Sequence, residues 1–227
     1  MNTQEEFQIS VKRTKRRKTI SLKITDGFVQ VAVPDFMSDS EIDLLVSKKR
    51  KWIRNKLKIQ KLIPSYKPKE FISGEAFLFL GKNYRLKVKK GKETGVLLKG
   101  GYFMVTVKGS NRKIRHELES WFKEKAQLKF EQKTANYAKK LNVLPKNIFI
   151  KDYKSRWGSC SVDGDITYNW RLIMAPHSII DYVVVHELCH LKHHDHSKKY
   201  WKTVHSFFPN YKKQKDWLRV NANLLKW

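Results

Sequence analysis

"HELCHLKHHDH", residues 186–196, gathers five of the chain's eight histidines into eleven positions, with one glutamate among them. On a helix His186 and His190 lie four positions apart, about 40° round the axis and one turn above each other, so two imidazoles can share one cation. Glu187 is next to His186 and points to the side, near such an ion without having to bind it. This is the arrangement of H-E-x-x-H: two zinc ligands and a carboxylate that handles the proton of an activated water. The preceding run "IIDYVVV" (179–185) is apolar. The helix is therefore expected to be buried, where unpaired polar groups are costly.

The third ligand has to come from further along. In one arrangement it is a glutamate on a later helix, but after Glu187 the only carboxylates are Asp195 and Asp216. A histidine is then expected. If the helix continued, His193 would sit roughly 10 Å along the axis from His186, too far to share a tetrahedral ion comfortably. If it ends near residues 192–194, the chain can turn back and deliver His196, ten positions after His186, with Ser197 as cap of the next helix. His196 is chosen on this ground over His193, His194 and Asp195. The longer pattern H-E-x-x-H-x-x-G-x-x-H is incomplete: His193 stands where its glycine would be, and no methionine follows His196. Both departures argue against a metzincin.

Outward from this stretch, the 227 residues suffice for one large domain or two small ones. Apolar residues make up 41% and aromatic ones 12%, a globular composition with no stretch near the ~18 apolar residues of a membrane span. The start "MNTQEEFQIS" is polar and acidic, unlike a secretory signal, and two cysteines, Cys160 and Cys189, make no disulfide framework. A cytoplasmic protein without a membrane partner is expected. The net charge is +27, from +15 over residues 1–110 (25 basic, 10 acidic) and +12 over 111–227 (23 basic, 11 acidic). Such a surface can attract nucleotides or nucleic acid, or can simply be solvated.

The N-terminal part reads as strands. "TISLKI" (19–24) and "FVQVAV" (28–33) flank Asp26-Gly27 as a hairpin. "SDSE" (38–41) has capping-box spacing and opens a helix with Ile42, Leu45, Val46, Trp52, Ile53 and Leu57 inward and Lys48, Lys51, Arg54 and Lys58 outward. Two more hairpins turn at Gly81-Lys82-Asn83 and at Gly100-Gly101. A long helix is expected from Ser110 to about Lys140, with Ile114, Leu118, Trp121 and Phe122 inward. "NIFIKDYK" and "DITYNWRLI" read as strands around the loop "SRWGSCSVDG", and two helices follow the histidines, one over roughly 197–208 and one in the tail. The fold class is α+β, with a β-rich region over 1–110 followed by a second domain over 111–227.

"RWGSCS", "YNWRLIMAP" and "IDYVVVHELCHLKHHDHSKKYW", together with "RRKTISLKITDGFVQVAVP" and "KRKWIRNKL" nearer the start, closely resemble the YgjP-like metallopeptidases, small zincins related to the SprT and WLM groups. The resemblance implies a zincin-like catalytic domain, one Zn²⁺ per chain on His186, His190 and His196, and Glu187 as the catalytic residue. It also implies a strand lining the cleft, which "DITYNWRLI" would supply, and makes Arg156, Tyr168 and Asn169 candidate substrate contacts. Arg156 and Trp157 could equally brace the sheet. Buried packing is expected for Cys189 and core packing for Tyr200 and Trp201, with an oxyanion contact from Tyr200 or His205 as a minor alternative. The expected activity is zinc-dependent hydrolysis, of peptides or proteins first. Two alternatives keep the metal: hydrolysis of a nucleoside triphosphate at the same site, and a nucleic-acid-associated protein with structural zinc, in which Glu187 would have no use.

Overall fold

The computed structural model describes residues 7–15, 19–25, 27–108 and 111–227, so the start of the chain and Asp26 and Ser110 lie outside the described residues. Among these are ten strands in three sheets and five α-helices, which agrees with the α+β class. The chain packs as two compact units, Met1–Ser65 and Tyr66–Trp227.

In the first unit β2 (Ser21–Thr25) and β3 (Phe28–Pro34) pair antiparallel, Thr25 opposite Phe28, as the expected hairpin. A strand that the sequence did not announce, β1 (Ile9–Thr14), joins β3 in parallel. Its middle positions are all exposed, so it lacks the two-residue alternation that marks a half-buried strand. Helix α1 (Asp39–Leu62) starts at the capping box: Ser38 Oγ accepts the N–H of Glu41, and the Glu41 carboxylate accepts the N–H of Ser38 at 2.8 Å. Ile42, Val46 and Ile53 bury against Val29, Val31 and Val33. Trp52, expected inward, is 41% exposed with the Lys56 ammonium over its ring. One position before Ile53 it lies about 100° off the buried stripe.

In the second unit the strands β4 (Ala76–Phe79), β5 (Lys82–Lys90), β6 (Gly95–Lys99) and β7 (Tyr102–Val107) form a sheet in the order β4-β5-β7-β6. Both expected hairpins are present, and β5 joins β7 in parallel. Alternate residues Phe103, Val105 and Val107 turn inward, towards the core that α2 (Asn111–Leu141) enters with Ile114, Leu118, Phe122, Ala126 and Phe130 at intervals of four. Trp121 is only partly buried. The sequence placed a division at 110/111, whereas the packing divides at 65/66, because Phe77, Leu86 and Phe103 share one core with α2 and the elements after it.

A third sheet follows: β8 (Ile148–Lys151), β9 (Gly158–Cys160) and β10 (Ile166–Asn169), in the order β8-β10-β9. All four residues of β10 are buried. "DITYNWRLI" is therefore a strand only in its first part. At Asn169 the side-chain oxygen accepts the N–H of Arg171, and the chain winds into a 3₁₀ turn, Trp170–Met174. Being paired on both sides, β10 has no free edge for a substrate, and the edge nearer the histidine helix belongs to β9. The remaining helices are α3 (His177–Cys189), α4 (Lys198–Phe207) and α5 (Tyr211–Asn221), close to the expected spans. Beyond them Trp227 packs edge-on against Phe77, Phe122 and Trp170. No helix of the described residues is long and apolar enough to cross a membrane.

One buried polar pair ties α2 to β10: the hydroxyls of Thr134 and Tyr168 lie 2.9 Å apart, and both residues are 0% exposed. Thr134→Val leaves the Tyr168 hydroxyl without a partner in the core, which should cost about 1–3 kcal/mol in urea unfolding. The double substitution Thr134→Val with Tyr168→Phe should cost less than the sum of the two single ones. Strict additivity would show that the two hydroxyls do not depend on each other.

Candidate metal centre

Nine of the thirteen residues of α3 are buried, and they surround the helix rather than forming one stripe. This is what carries Glu187 inside, at 5% exposure. The helix ends at Cys189 with His190 as its cap. A short turn follows, and Ser197 caps α4 by accepting the N–H of Tyr200 at 3.4 Å. That turn brings His196 back onto α3, with its Nε2 at 3.3 Å from Nε2 of His186. His186, His190 and His196 each offer one donor atom, all within 4.8 Å of one another.

His193, His194 and Asp195, the other candidates for third ligand, are not in the cluster found among the described residues. The carbonyl of His193 lies 3.2 Å from His190 Nδ1, which can donate to it and so leave the Nε2 lone pair of His190 for the cluster. Asp195 accepts the N–H of Ser197 at 3.2 Å and so shapes the turn. His205 is exposed on α4.

Do these residues suit a metal ion? Burial, with the neighbouring His190 and His196 adding to it, lowers the pKa of His186 to about 3. The ring is thus held neutral, the form that gives a lone pair to a metal. Its Nδ1 is buried without a hydrogen-bond partner, and its Nε2 faces another imidazole nitrogen. Two lone pairs 3.3 Å apart repel unless a proton or a cation lies between them. Zinc–nitrogen bonds of about 2.0–2.1 Å in a tetrahedron put neighbouring nitrogens about 3.3–3.4 Å apart. The His186–His196 edge has this length, and imidazole donors suit zinc along with copper, iron and nickel.

Glu187 lies beside the cluster. Its pKa is raised to about 8 by burial, against the opposing pull of the Arg156 guanidinium. Its side chain lies directly against Gly158 of β9: a Cβ at that position would be 2.5 Å from Oε1 and 2.7 Å from Cγ. Aromatic rings hold the imidazoles. Tyr200 donates to the carbonyl of His186 at 2.9 Å and stacks on His190, with centroids 4.7 Å apart. Trp201 stacks on His196 at 5.5 Å and on Tyr211 at 4.8 Å. Tyr200 is fully buried and its hydroxyl is engaged, so it is not an oxyanion donor.

The three expected substrate contacts separate. Arg156 lines a cavity of 400 Å³ together with His186, Glu187 and Gly158. Tyr168 is a core residue with no exposed surface. Asn169 is 3% exposed and works on the loop: its amide donates to the carbonyls of Tyr153 at 2.8 Å and Arg156 at 3.1 Å. Cys189 is buried, with a pKa pushed up to about 12 chiefly by that burial, and Cys160 rises to about 11 through burial and the nearby Glu187. Neither belongs to the cluster. The part that the sequence had not singled out is Gly158, while Trp201, expected in the core, is only partly buried and meets His196. A glycine in a strand is a mark of close backbone approach and was a readable signal. Trp201 had only its helical spacing from the cap.

The family profile described as "YgjP-like, metallopeptidase domain" matches residues 18–221. Two similar solved structures are crystal structures of metallopeptidase zymogens. Abylysin of Pyrococcus abyssi is 24% identical with a TM-score of 0.38, over 43% of this chain and 96% of that one. Jannalysin of Methanocaldococcus jannaschii is 21% identical with a TM-score of 0.37, over 42% of this chain and 96% of that one. No curated protein matches.

Gly158→Ala tests the contact between β9 and Glu187. The added methyl overlaps the carboxylate, so the variant should lose about 1–3 kcal/mol of stability, and its crystal structure should show Glu187 rotated or β9 displaced. Unchanged stability with Glu187 in place would mean that β9 yields freely.

Proposed function

The chain belongs to the YgjP-like metallopeptidase family, and from that premise we propose that it is a zinc-dependent peptidase with a zincin-like catalytic domain and α3 as its active-site helix. The observation that carries this reading is the convergence of three imidazole donors beside a buried carboxylate, open to a cavity. His186, His190 and His196 would hold one Zn²⁺ per chain. Zinc so held supplies Lewis acidity towards a carbonyl oxygen and lowers the pKa of a water in its open position from about 15.7 to about 7.

Glu187 accepts the proton of the attacking water and returns it to the departing amine. Burial suits it to the first step, since a carboxylate whose pKa stands near 8 is a stronger base than a solvated one, and Arg156 keeps the ionised form within reach. Tyr200, stacked on the ring of His190, and Trp201, stacked on that of His196, hold two of the imidazoles. An extended peptide can pair with the outer edge of β9, where Gly158 leaves its backbone next to Glu187. A purely structural zinc would be closed off, whereas His196 is exposed and His186 and Glu187 face the cavity. Cys160 and Cys189 are free thiols, which suits a cytoplasmic protein.

The purified protein should hold about one zinc per chain by elemental analysis, and His186→Ala, His190→Ala and His196→Ala should each lower the occupancy sharply. Full zinc in His196→Ala with loss in His193→Ala would reassign the third ligand. Glu187→Gln should keep the zinc while peptide hydrolysis falls by about 10²–10⁴-fold. Release of diphosphate from nucleoside triphosphates that requires Glu187, with no peptide cleaved, would overturn the peptidase reading.

A further inference from the structure

The cavity beside Glu187 is cationic, and the chemistry proposed above leaves most of that charge unused. Arg156, Lys215 and Arg219 line its 400 Å³, and Glu187 is the one carboxylate in the lining. None of the three cations is neutralised inside it. The guanidinium of Arg156 lies over the ring of Tyr153 at 5.5 Å, and the ammonium of Lys215 over Trp201 at 5.2 Å. Aromatic faces hold a cation in place without cancelling its charge. Arg219 does reach a carboxylate, Asp216, at 3.0 Å through Nη2, but Asp216 is 62% exposed and lies on the solvent side of the pair. The Nε of Arg219 is buried and has no acceptor.

We propose that this cavity binds a carboxylate of the substrate next to the scissile bond, either an aspartate or glutamate side chain or the free end of the peptide. Resting on the peptidase reading, this adds a specificity that the reading lacks. Arginine suits the task because its planar fork meets a carboxylate through two N–H groups, and a site partly out of water makes those bonds stronger. Lys215 adds a mobile point charge at the rim. The rest of the peptide has somewhere to go: across Arg156 and Trp157 a second cavity of 590 Å³ opens, lined by Lys154 and Lys226. Its Arg171 is paired with Asp152 and adds no net charge there. Selectivity for acidic peptides therefore resides in Arg156, Lys215 and Arg219.

Two measurements test this. In the first, zinc-loaded protein is given an amidated peptide library, and the residues flanking each cut are read by mass spectrometry. Glutamate or aspartate beside the cut should exceed glutamine or asparagine by about tenfold in kcat/KM. Arg219→Gln and Lys215→Gln should each shrink that ratio, and Arg219→Glu should turn it in favour of lysine. A parallel library with free C-termini separates the two sources: faster cutting next to the chain end, absent from the amidated library and lowered in Arg219→Gln, assigns the cavity to the chain end. Equal kcat/KM for glutamate and glutamine, with no gain from free C-termini, would overturn the proposal and leave the peptidase reading standing.

The second measurement does not need turnover. Glu187→Gln protein is titrated with fluorescently labelled alanine pentapeptides carrying a central glutamate or a central glutamine. Binding about tenfold tighter for glutamate, lost in the Glu187→Gln/Arg219→Gln double variant, supports the cavity even if no library peptide is cut. Equal binding of the two, unchanged when the peptides' C-termini are amidated, overturns it. Zinc content and circular dichroism of each variant show whether it has folded.

Discussion

The second unit is organised by the need to bury α3 on every side. A helix made of Ile179, Ile180, Val183, Val184, Val185 and Leu188 cannot lie on a surface, and α2, α4, α5 and β9 all pack against it. That enclosure makes the polar residues at its end expensive. His186 is driven towards neutrality and Glu187 towards protonation, in both cases chiefly by burial rather than by a single charged neighbour. A side chain whose ordinary state is penalised in this way persists when something at the site compensates. For His186 a cation at Nε2 would do so, and for Glu187 the proton exchange of the proposed function would. The same burial that stabilises the fold thus sets the chemistry.

Tight local geometry then completes the site at low entropic cost. Between Cys189 and Ser197 the chain reverses within seven residues, with the carbonyl of His193 facing Nδ1 of His190 and Asp195 bonded to Ser197. Little loop has to be ordered to bring His196 onto His186. The opposite wall comes from far away in sequence. Gly158 precedes Glu187 by 29 positions, and β9 reaches it only because β10 holds β9 on one side and β8 on the other. Asn169 links the two walls. Its side chain fixes the loop carrying Arg156, and the same residue starts the 3₁₀ turn that leads into α3.

What the sequence made legible follows this division between local and distant. The spacing of His186, Glu187 and His190, the return of His196 before a serine cap, and the box at Ser38 and Glu41 are all short-range patterns, and each appears in the coordinates as a local geometry. Long-range pairing left no such mark. Phe77, Leu86 and Phe103 share their core with α2 and the later elements, so the packing divides at 65/66. β1 went unread because its exposed side chains carry no alternation. Tyr168 and Asn169 were drawn into the site by their place in a motif, yet in β10 one side chain enters the core and the other turns to the loop. A two-residue period explains that split once the strand is known to be central.

Charge shows the same contrast between what is summed and what is placed. The excess of +27 is spread over both halves of the chain, and exposed cations such as Lys48, Lys51 and Lys58 on α1 stand in water, where salt screens them within about 8–10 Å. Arg156, Lys215 and Arg219 are few, but they converge on one cavity, two of them on aromatic faces and one with a buried N–H. Partial burial weakens screening, so three placed charges act on a substrate more strongly than many solvated ones. They also act on Glu187. The guanidinium of Arg156 draws its pKa down while burial draws it up, so a carboxylate bound by Arg156 would weaken that pull and favour the protonated acid.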